Sequence, residues 1–299
     1  MEILKFIFLA ISYKTKINFI DIIKIMNSIS KLTHNAKFLK PNKNKEIFIY
    51  EGDYNNFTFE KHIHDEYTIS LIEKGHMGAF LKGFNHEFDK SSIITINPDE
   101  VHSCGVLSKE GYKHHSLYLS PDSIKSILKD NFNKSLLPFK NFAFSNDFIY
   151  RKLYFLMKYN SSFMELSWES ELIETLNVIL QINTKATNIT TLPSHYDLIK
   201  KAKEFINDNY ENDFTLDDLS KEFNISKYHF LRLFKKHTFV SPHTYLMIRR
   251  VEKAKHFLRN GWDISQTAYL CGFTDQSHLN RKFKQLTGMT PGKYKSFFL

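Results

Sequence analysis

Two sets of side chains in this 299-residue chain have the types and spacing to do chemistry. The first lies in "GFTDQSHLNRKFKQLTGMTPGKYK", residues 272–295. On a helix opened by the Gly272 turn, Gln276, Asn280 and Lys284 share one stripe at i, i+4 spacing, and Ser277 and Arg281 occupy the adjacent one. Leu279, Phe283 and Leu286 face the other way as an apolar base. A guanidinium pairs bidentately with guanine and a carboxamide with adenine, while Ser and Lys reach bases or phosphates. The pattern suits a helix that reads the major groove.

The second set is histidine-based. In "EKHIHDEYTISLIEKG", His62 and His64 are two residues apart, which on a strand points both to one face. His102 follows Pro98 in "INPDEVHSCG". Three neutral imidazoles can hold zinc, line a small-molecule pocket, or serve as packed core histidines. Glu66 shares strand parity with the histidine pair.

The elements that must position these groups can be read along the chain. "EIFIY", "YTISLIE", "SIITINP" and "HSLYLS" are rich in β-branched and aromatic residues and are separated by Gly, Asn, Asp and Lys, which predicts a small antiparallel barrel or jelly roll between residues 46 and 120. From Asp147 to Thr184 the spacing changes to that of helices, with Trp168, Leu172, Leu176, Ile179 and Leu180 on one side. The polar stretch 183–195 reads as a linker.

Beyond it two similar units follow. Thr215 and Asp218 make a capping box, Asn224 suits a left-handed stop, and Ser226 caps the next helix. That helix buries Phe230, Leu233 and Phe234 and turns Lys227, Tyr228, Leu231, Arg232, Lys235 and Lys236 outward, a helix-turn-helix with a basic face. In the second unit Asp263 and Gln266 form the capping pair, Ala268 allows a close helix crossing, and Thr274 is expected to cap the last reader. "SPHTYLMIRRVEKAKHFLRN" between them is an amphipathic helix that would hold both readers about one DNA turn (~34 Å) apart, in successive major grooves. His237 and His278 read as packing or capping histidines.

Charge agrees with this division. Residues 227–299 hold 14 Lys/Arg against 3 Asp/Glu, whereas the preceding residues hold 27 against 29. A concentrated basic field attracts nucleic acid. No platform of exposed aromatics accompanies it, which disfavours RNA. The two cysteines, Cys104 and Cys271, suggest no disulfide framework and a reduced, cytoplasmic protein. The apolar run Phe6–Ile11 is too short to span a bilayer, and no membrane association is expected. Met26 is an alternative start.

Residues 195–297 resemble the DNA-binding domain of the AraC/XylS family of bacterial transcription regulators. Gly272, Phe273, Gln276, Ser277, Phe283, Lys284, Gly288, Pro291 and Tyr294 stand where that family's C-terminal motif has them, and "ISKYHFLRLFKKHTFVSPHTYLMIRRVEKAKHFL" is similar to its first unit. Two positions depart: Leu231 stands where a polar residue is often found, and Phe239 where glycine is usual. The second unit is therefore expected to carry at least as much direct readout as the first.

The histidine segment resembles a cupin barrel, in which an H-x-H pair, a later Glu and a third His hold a metal. By that spacing the carboxylate position falls on Thr68, with Gly75 at the family's glycine, so no metal or other cofactor is expected. If one were bound, His62, His64 and His102 would hold it.

The two resemblances imply an α+β chain: an extension over 1–40, a cupin-like effector sensor over 41–140, a helical linker and dimerisation element over 141–193, and a double helix-turn-helix over 194–299. They imply a non-enzymatic regulator, an activator by family habit, whose partners are double-stranded DNA, a small-molecule effector, RNA polymerase and a second copy of itself. The residues expected on DNA are Lys227, Tyr228, Arg232, Lys235, Lys236, Gln276, Ser277, Asn280, Arg281 and Lys284; those on the effector are His62, His64, Thr68 and His102. The alternative is a metal-dependent cupin enzyme with an accessory nucleic-acid-binding domain.

Overall fold

The computed structural model describes residues 35–41, 46–127, 139–158, 165–183 and 194–299. Met26 and most of the expected N-terminal extension lie outside the described residues. The β-rich half contains β1 (Asn35–Leu39), β2 (Ile47–Tyr54), β3 (Tyr67–Gly75), β4 (Met77–Leu81), β5 (Phe84–Phe88), β6 (Ser92–Ile96), β7 (Ser103–Val106), β8 (Tyr112–Leu119) and β9 (Ala143–Ser145). The larger sheet runs β1-β2-β8-β3-β6-β9 and the smaller β5-β4-β7, with all pairs antiparallel. The α+β class holds, but the expected barrel does not close. Among the described residues no ladder joins the two sheets, and the segment before β3 crosses between them through single bridges at Thr58–Gly105 and His62–His102. β1 precedes residue 41, and its five residues pair with β2.

Strand alternation explains why the larger sheet is buried on both faces. Ile47, Ile49, Tyr67, Ile69, Leu71, Ile93, Leu117 and Leu119 point to one side, where they meet α2 (Asp147–Lys158) and α3 (Glu165–Asn183). Thr68, Ser70, Ile94, Ile96, His114, Ser116 and Tyr118 occupy the alternate positions and face the smaller sheet. A short helix, α1 (Pro121–Ile127), follows β8.

The segment expected to dimerise, 141–193, carries the apolar stripe of α3. Trp168, Leu172, Leu176, Ile179 and Leu180 are instead buried against α2 and the chain's own sheet, and Trp168 Nε1 donates to Leu156 O at 2.9 Å. That stripe therefore supplies no argument for dimerisation: intramolecular packing already removes it from water.

The C-terminal half is all helix: α4 (Ser194–Asp208), α5 (Leu216–Glu222), α6 (Lys227–Thr238), α7 (Pro242–Arg259), α8 (Ile264–Leu270), α9 (Gln276–Thr287) and α10 (Pro291–Lys295). Its core, including Phe230, Phe234, Tyr245, Leu246, Phe283 and Tyr294, is continuous with the apolar side chains between the two sheets. The larger core cluster thus spans both halves. Trp168→Ala should cost about 3–5 kcal/mol by removing a large ring from the other, helix-covered cluster. Urea unfolding of the variant beside the parent checks this.

Candidate nucleic-acid interface and the cavity behind it

The first helix-turn-helix is built as its sequence requires. The Thr215 side chain accepts from the Asp218 amide while Asp218 accepts from the Thr215 amide at 2.8 Å, closing the capping box. Asn224 takes φ 50°, and Ser226 caps α6. In the second unit Asp263 Oδ1 accepts from the Ser265 and Gln266 amides at 2.8 and 3.4 Å. Gly272 makes the turn at φ +72°, where an added Cβ would lie 2.4 Å from Glu211 O. The cap of α9 is Asp275, not Thr274: Asp275 Oδ1 accepts from the His278 amide at 2.7 Å, and Thr274 Oγ1 pairs instead with His278 Nδ1 at 3.0 Å. A carboxylate is the stronger acceptor for an orphan helix amide.

Of the residues expected on DNA, Tyr228, Arg232, Lys235 and Lys236 on α6 and Gln276, Ser277, Arg281 and Lys284 on α9 are exposed. Lys227 and Asn280 are half-buried, and Lys227 pairs with Asp217 at 3.3 Å. Tyr269, 82 % exposed on α8, is a further outward side chain in the same unit. Its only sequence signal was an aromatic outside the apolar stripe.

The basic field is smaller than the residue count suggests, because α7 keeps four of its cations inside. Arg249 Nη1 reaches Asp65 at 2.5 Å, and Arg259 Nη1 reaches Glu66 at 2.8 Å while its Nε donates to Tyr294 Oη at 2.7 Å. Arg250 donates to the carbonyls of Tyr210 and Asn212 and to Asp213. Lys255 meets Glu252 at 2.5 Å. Two of these pairs join the halves of the chain. Burial alone would raise the Asp65 carboxyl, but Arg249 more than offsets it and holds that carboxyl low.

Between the sheets lies a small cavity that opens to solvent. The β-rich half provides His62, His64, Thr68 and His102 among its walls; Lys255, Leu286, Thr287, Met289 and Tyr294 of the helical half roof it. His62 and His64 sit in the extended segment leading into β3 rather than in a ladder. The backbones of His62 and His102 exchange hydrogen bonds of 2.8 and 2.9 Å, which draws the three rings to centroid distances of 4.2–5.0 Å. One ring nitrogen from each lies within 4.8 Å of the others. His62 Nδ1 donates to Glu60 O at 2.7 Å and His102 Nδ1 to Glu100 O at 2.8 Å. Burial pushes all three imidazoles down, His102 to about 4, and His114 likewise to about 3, so they are neutral at neutral pH.

At the position where the cupin pattern has its carboxylate, Thr68 offers an alcohol whose buried Oγ1 has no partner among the described residues. His64, Glu66 and Glu252 do bring ligand-type atoms within 4.8 Å of one another, but Glu66 is held by Arg259 and Glu252 by Lys255, so a metal ion could enter there only by displacing those cations.

Residues 44–141 match the family model described as an AraC-like ligand binding domain, and residues 219–296 match that of a helix-turn-helix domain. The chain is 27% identical over 249 residues to the "Uncharacterized HTH-type transcriptional regulator YbfI" of Bacillus subtilis (strain 168), a match covering 81% of this chain and 88% of that protein. It is 31% identical over 94 residues to the "Probable transcriptional regulator LumQ" of Photobacterium leiognathi, covering 31% of this chain and 38% of LumQ. In fold it resembles ToxT of Vibrio cholerae O395, with TM-score 0.54 at 16% identity over 86% of this chain and 99% of ToxT. ToxT of strain SCE256 with bound unsaturated fatty acid gives TM-score 0.55 at 15% identity, covering 89% of this chain and 97% of that one.

The buried imidazoles have a consequence for stability. Unfolded histidines bind protons below about pH 6.5, whereas these resist protonation until lower pH, so the unfolded state takes up more protons between about pH 6.5 and 4. Their contribution is complete above that window and is lost as the pH falls through it. Glu252, raised by burial to about 7, works in the opposite direction but is one group against several. Urea unfolding should therefore show stability falling by a few kcal/mol, of order 1.4 per pH unit for each histidine, on acidification through that window. The fall should be smaller in His102→Phe.

Proposed function

We propose that this chain is an AraC-type transcription regulator in which a small effector, held in the inter-sheet cavity of the AraC-like ligand-binding domain, sets how the two readers meet DNA. One observation carries this: the turn that closes the second reader, Leu286 to Met289, is also the roof of the cavity lined by His62, His64, Thr68 and His102. A ligand that fills the cavity must touch both halves. An effector changes DNA affinity only by favouring one arrangement of those halves over another, and a shared wall supplies that difference.

In this reading Gln276, Ser277, Asn280 and Arg281 read base edges. Lys227, Tyr228, Arg232, Lys235, Lys236 and Lys284 hold phosphates or adjacent bases. Leu231 is half-buried on α6, in keeping with a less discriminating first reader. The expected boundaries are kept for the linker (141–193) and the reader domain (194–299), while the sensor is extended back to β1. The protein acts without catalysis, in the cytoplasm. Among the described residues no helix is long and apolar enough to cross a membrane. Activation through RNA polymerase rests on the family resemblance alone. A homodimer is supported by Phe148 and Phe155, 63 % and 51 % exposed and seven residues apart on α2.

Two measurements test these assignments. Arg281→Ala should cost about 1–3 kcal/mol on the operator and relax specificity at one base, whereas Lys235→Ala should weaken all sequences alike and lower the salt slope by about 1. Equal losses on operator and random DNA for Arg281→Ala would remove its base-reading role. Phe148→Glu with Phe155→Glu should shift sedimentation from dimer to monomer while leaving the helical CD signal unchanged.

A further inference from the structure

Resting on the effector reading of the cavity, its walls define the head group they will accept. Backbone carbonyls only accept, so the Nδ1 atoms of His62 and His102 must carry the protons that reach Glu60 O and Glu100 O. Both rings are buried, at 6 % and 4 % exposed, and neither has a carboxylate ion-pair partner among the described residues. A buried imidazolium without a counter-charge is costly, so each ring is neutral and its Nε2 is left as a lone-pair acceptor. The two ring centroids are 4.2 Å apart, so these acceptors belong to one small site. Thr68 Oγ1 and His114 Nδ1, on residues 2 % and 6 % exposed, have no partner among the described residues and belong to the same walls. Unmatched buried polar atoms are what a bound polar group repairs.

The charges along this side leave no cation to spare. Lys255 is the cation in the cavity wall, and it meets Glu252 at 2.5 Å. Arg259 is next in reach, and it meets Glu66 at 2.8 Å. A carboxylate entering here would face imidazole lone pairs and the carboxyl groups of Glu66 and Glu252, and could gain Arg259 or Lys255 only by displacing the carboxyl group each already meets. Much of the remaining wall is apolar, with Phe38, Phe59, Met77, Leu81, Ile94 and Met289, while Ser70, Ser116, Tyr50 and Tyr118 place hydroxyls among them.

We propose that the effector is an uncharged, mainly apolar molecule whose head group carries two donor hydrogens, as a vicinal diol or a primary amide does, given to His62 Nε2 and His102 Nε2. An oxygen of the head group, the carbonyl of an amide or one of the diol's hydroxyl oxygens through a lone pair, accepts from Thr68 Oγ1. The apolar tail lies against the strands and the roof residues of the reader domain.

Four probes sharing one eight-carbon skeleton separate the possibilities on the full-length protein: the vicinal diol of octane, octanamide, octanoate and methyl octanoate. Calorimetry and thermal unfolding at neutral pH should show the diol and the amide binding at least about tenfold more tightly than the other two, the difference of one or more good hydrogen bonds. His102→Phe should reduce that preference to less than about threefold. Thr68→Val, which keeps the shape of the wall, should weaken the amide and serves if His102→Phe does not fold. Tightest binding by octanoate, with an altered DNA affinity, would overturn the head-group class while leaving the cavity an effector site. Binding by none of the four would overturn the class. Binding that leaves DNA affinity unchanged would overturn the effector reading itself. Stoichiometric stabilisation by zinc that His102→Phe abolishes would overturn the class too, since the lone pairs would then serve a cation.

Discussion

Helix α7 is the member on which both halves of this molecule depend. It is buried on nearly every side, and its cations are spent internally on Asp65, Asp213, Glu252 and Glu66. Removing one partner of a buried pair leaves an uncompensated charge and typically costs about 3–5 kcal/mol, whereas the intact pair adds little net stability. Such pairs fix arrangement more than they stabilise it. Here they fix the docking of the reader domain against the segment that carries the histidines, because Asp65 and Glu66 directly follow His64.

The cavity follows from that docking. The larger sheet has one face packed on α2 and α3 and the other lined by hydroxyls, imidazoles and aromatic rings. An open face of that composition needs a cover. The smaller sheet supplies one side, and the turn after α9 supplies the roof. Phe239 adds a second fastening: it adopts a left-handed φ of 61° at the end of α6, and its ring lies 5.5 Å from that of Phe80. Lys61 Nζ donates to its carbonyl at 3.2 Å. Glycine would hold that backbone more easily, but it would give up the contact with the sensor.

Much of the local design was legible beforehand. The capping box at Thr215, the αL stop at Asn224 and the inward faces of α6 and α9 depend on neighbours within about four residues, which the sequence displays directly. The parity that sets Thr68 and Ser70 against Tyr67 and Ile69 is equally local. Where such reading failed, a rival within the same few residues prevailed, as with Asp275 over Thr274, or the deciding partner lay elsewhere. The stripe on α3 looked like a subunit interface because one helix cannot show which sheet will cover it.

By itself, then, the sequence determined the two helix-turn-helix units, the outward placement of Gln276, Ser277 and Arg281, and the approach of His62 to His64. Each arises from short-range periodicity and capping. Only the tertiary structure decided that Arg249 and Arg259 are held inside by carboxylates, and that Leu286 and Met289 roof the cavity of the three histidines. Asp65 and Arg249 are 184 residues apart and Glu66 and Arg259 are 193 apart. No periodicity connects positions at such separations; a lysine or arginine reads alike in sequence whether it faces water or a buried carboxylate, and packing alone chooses between them.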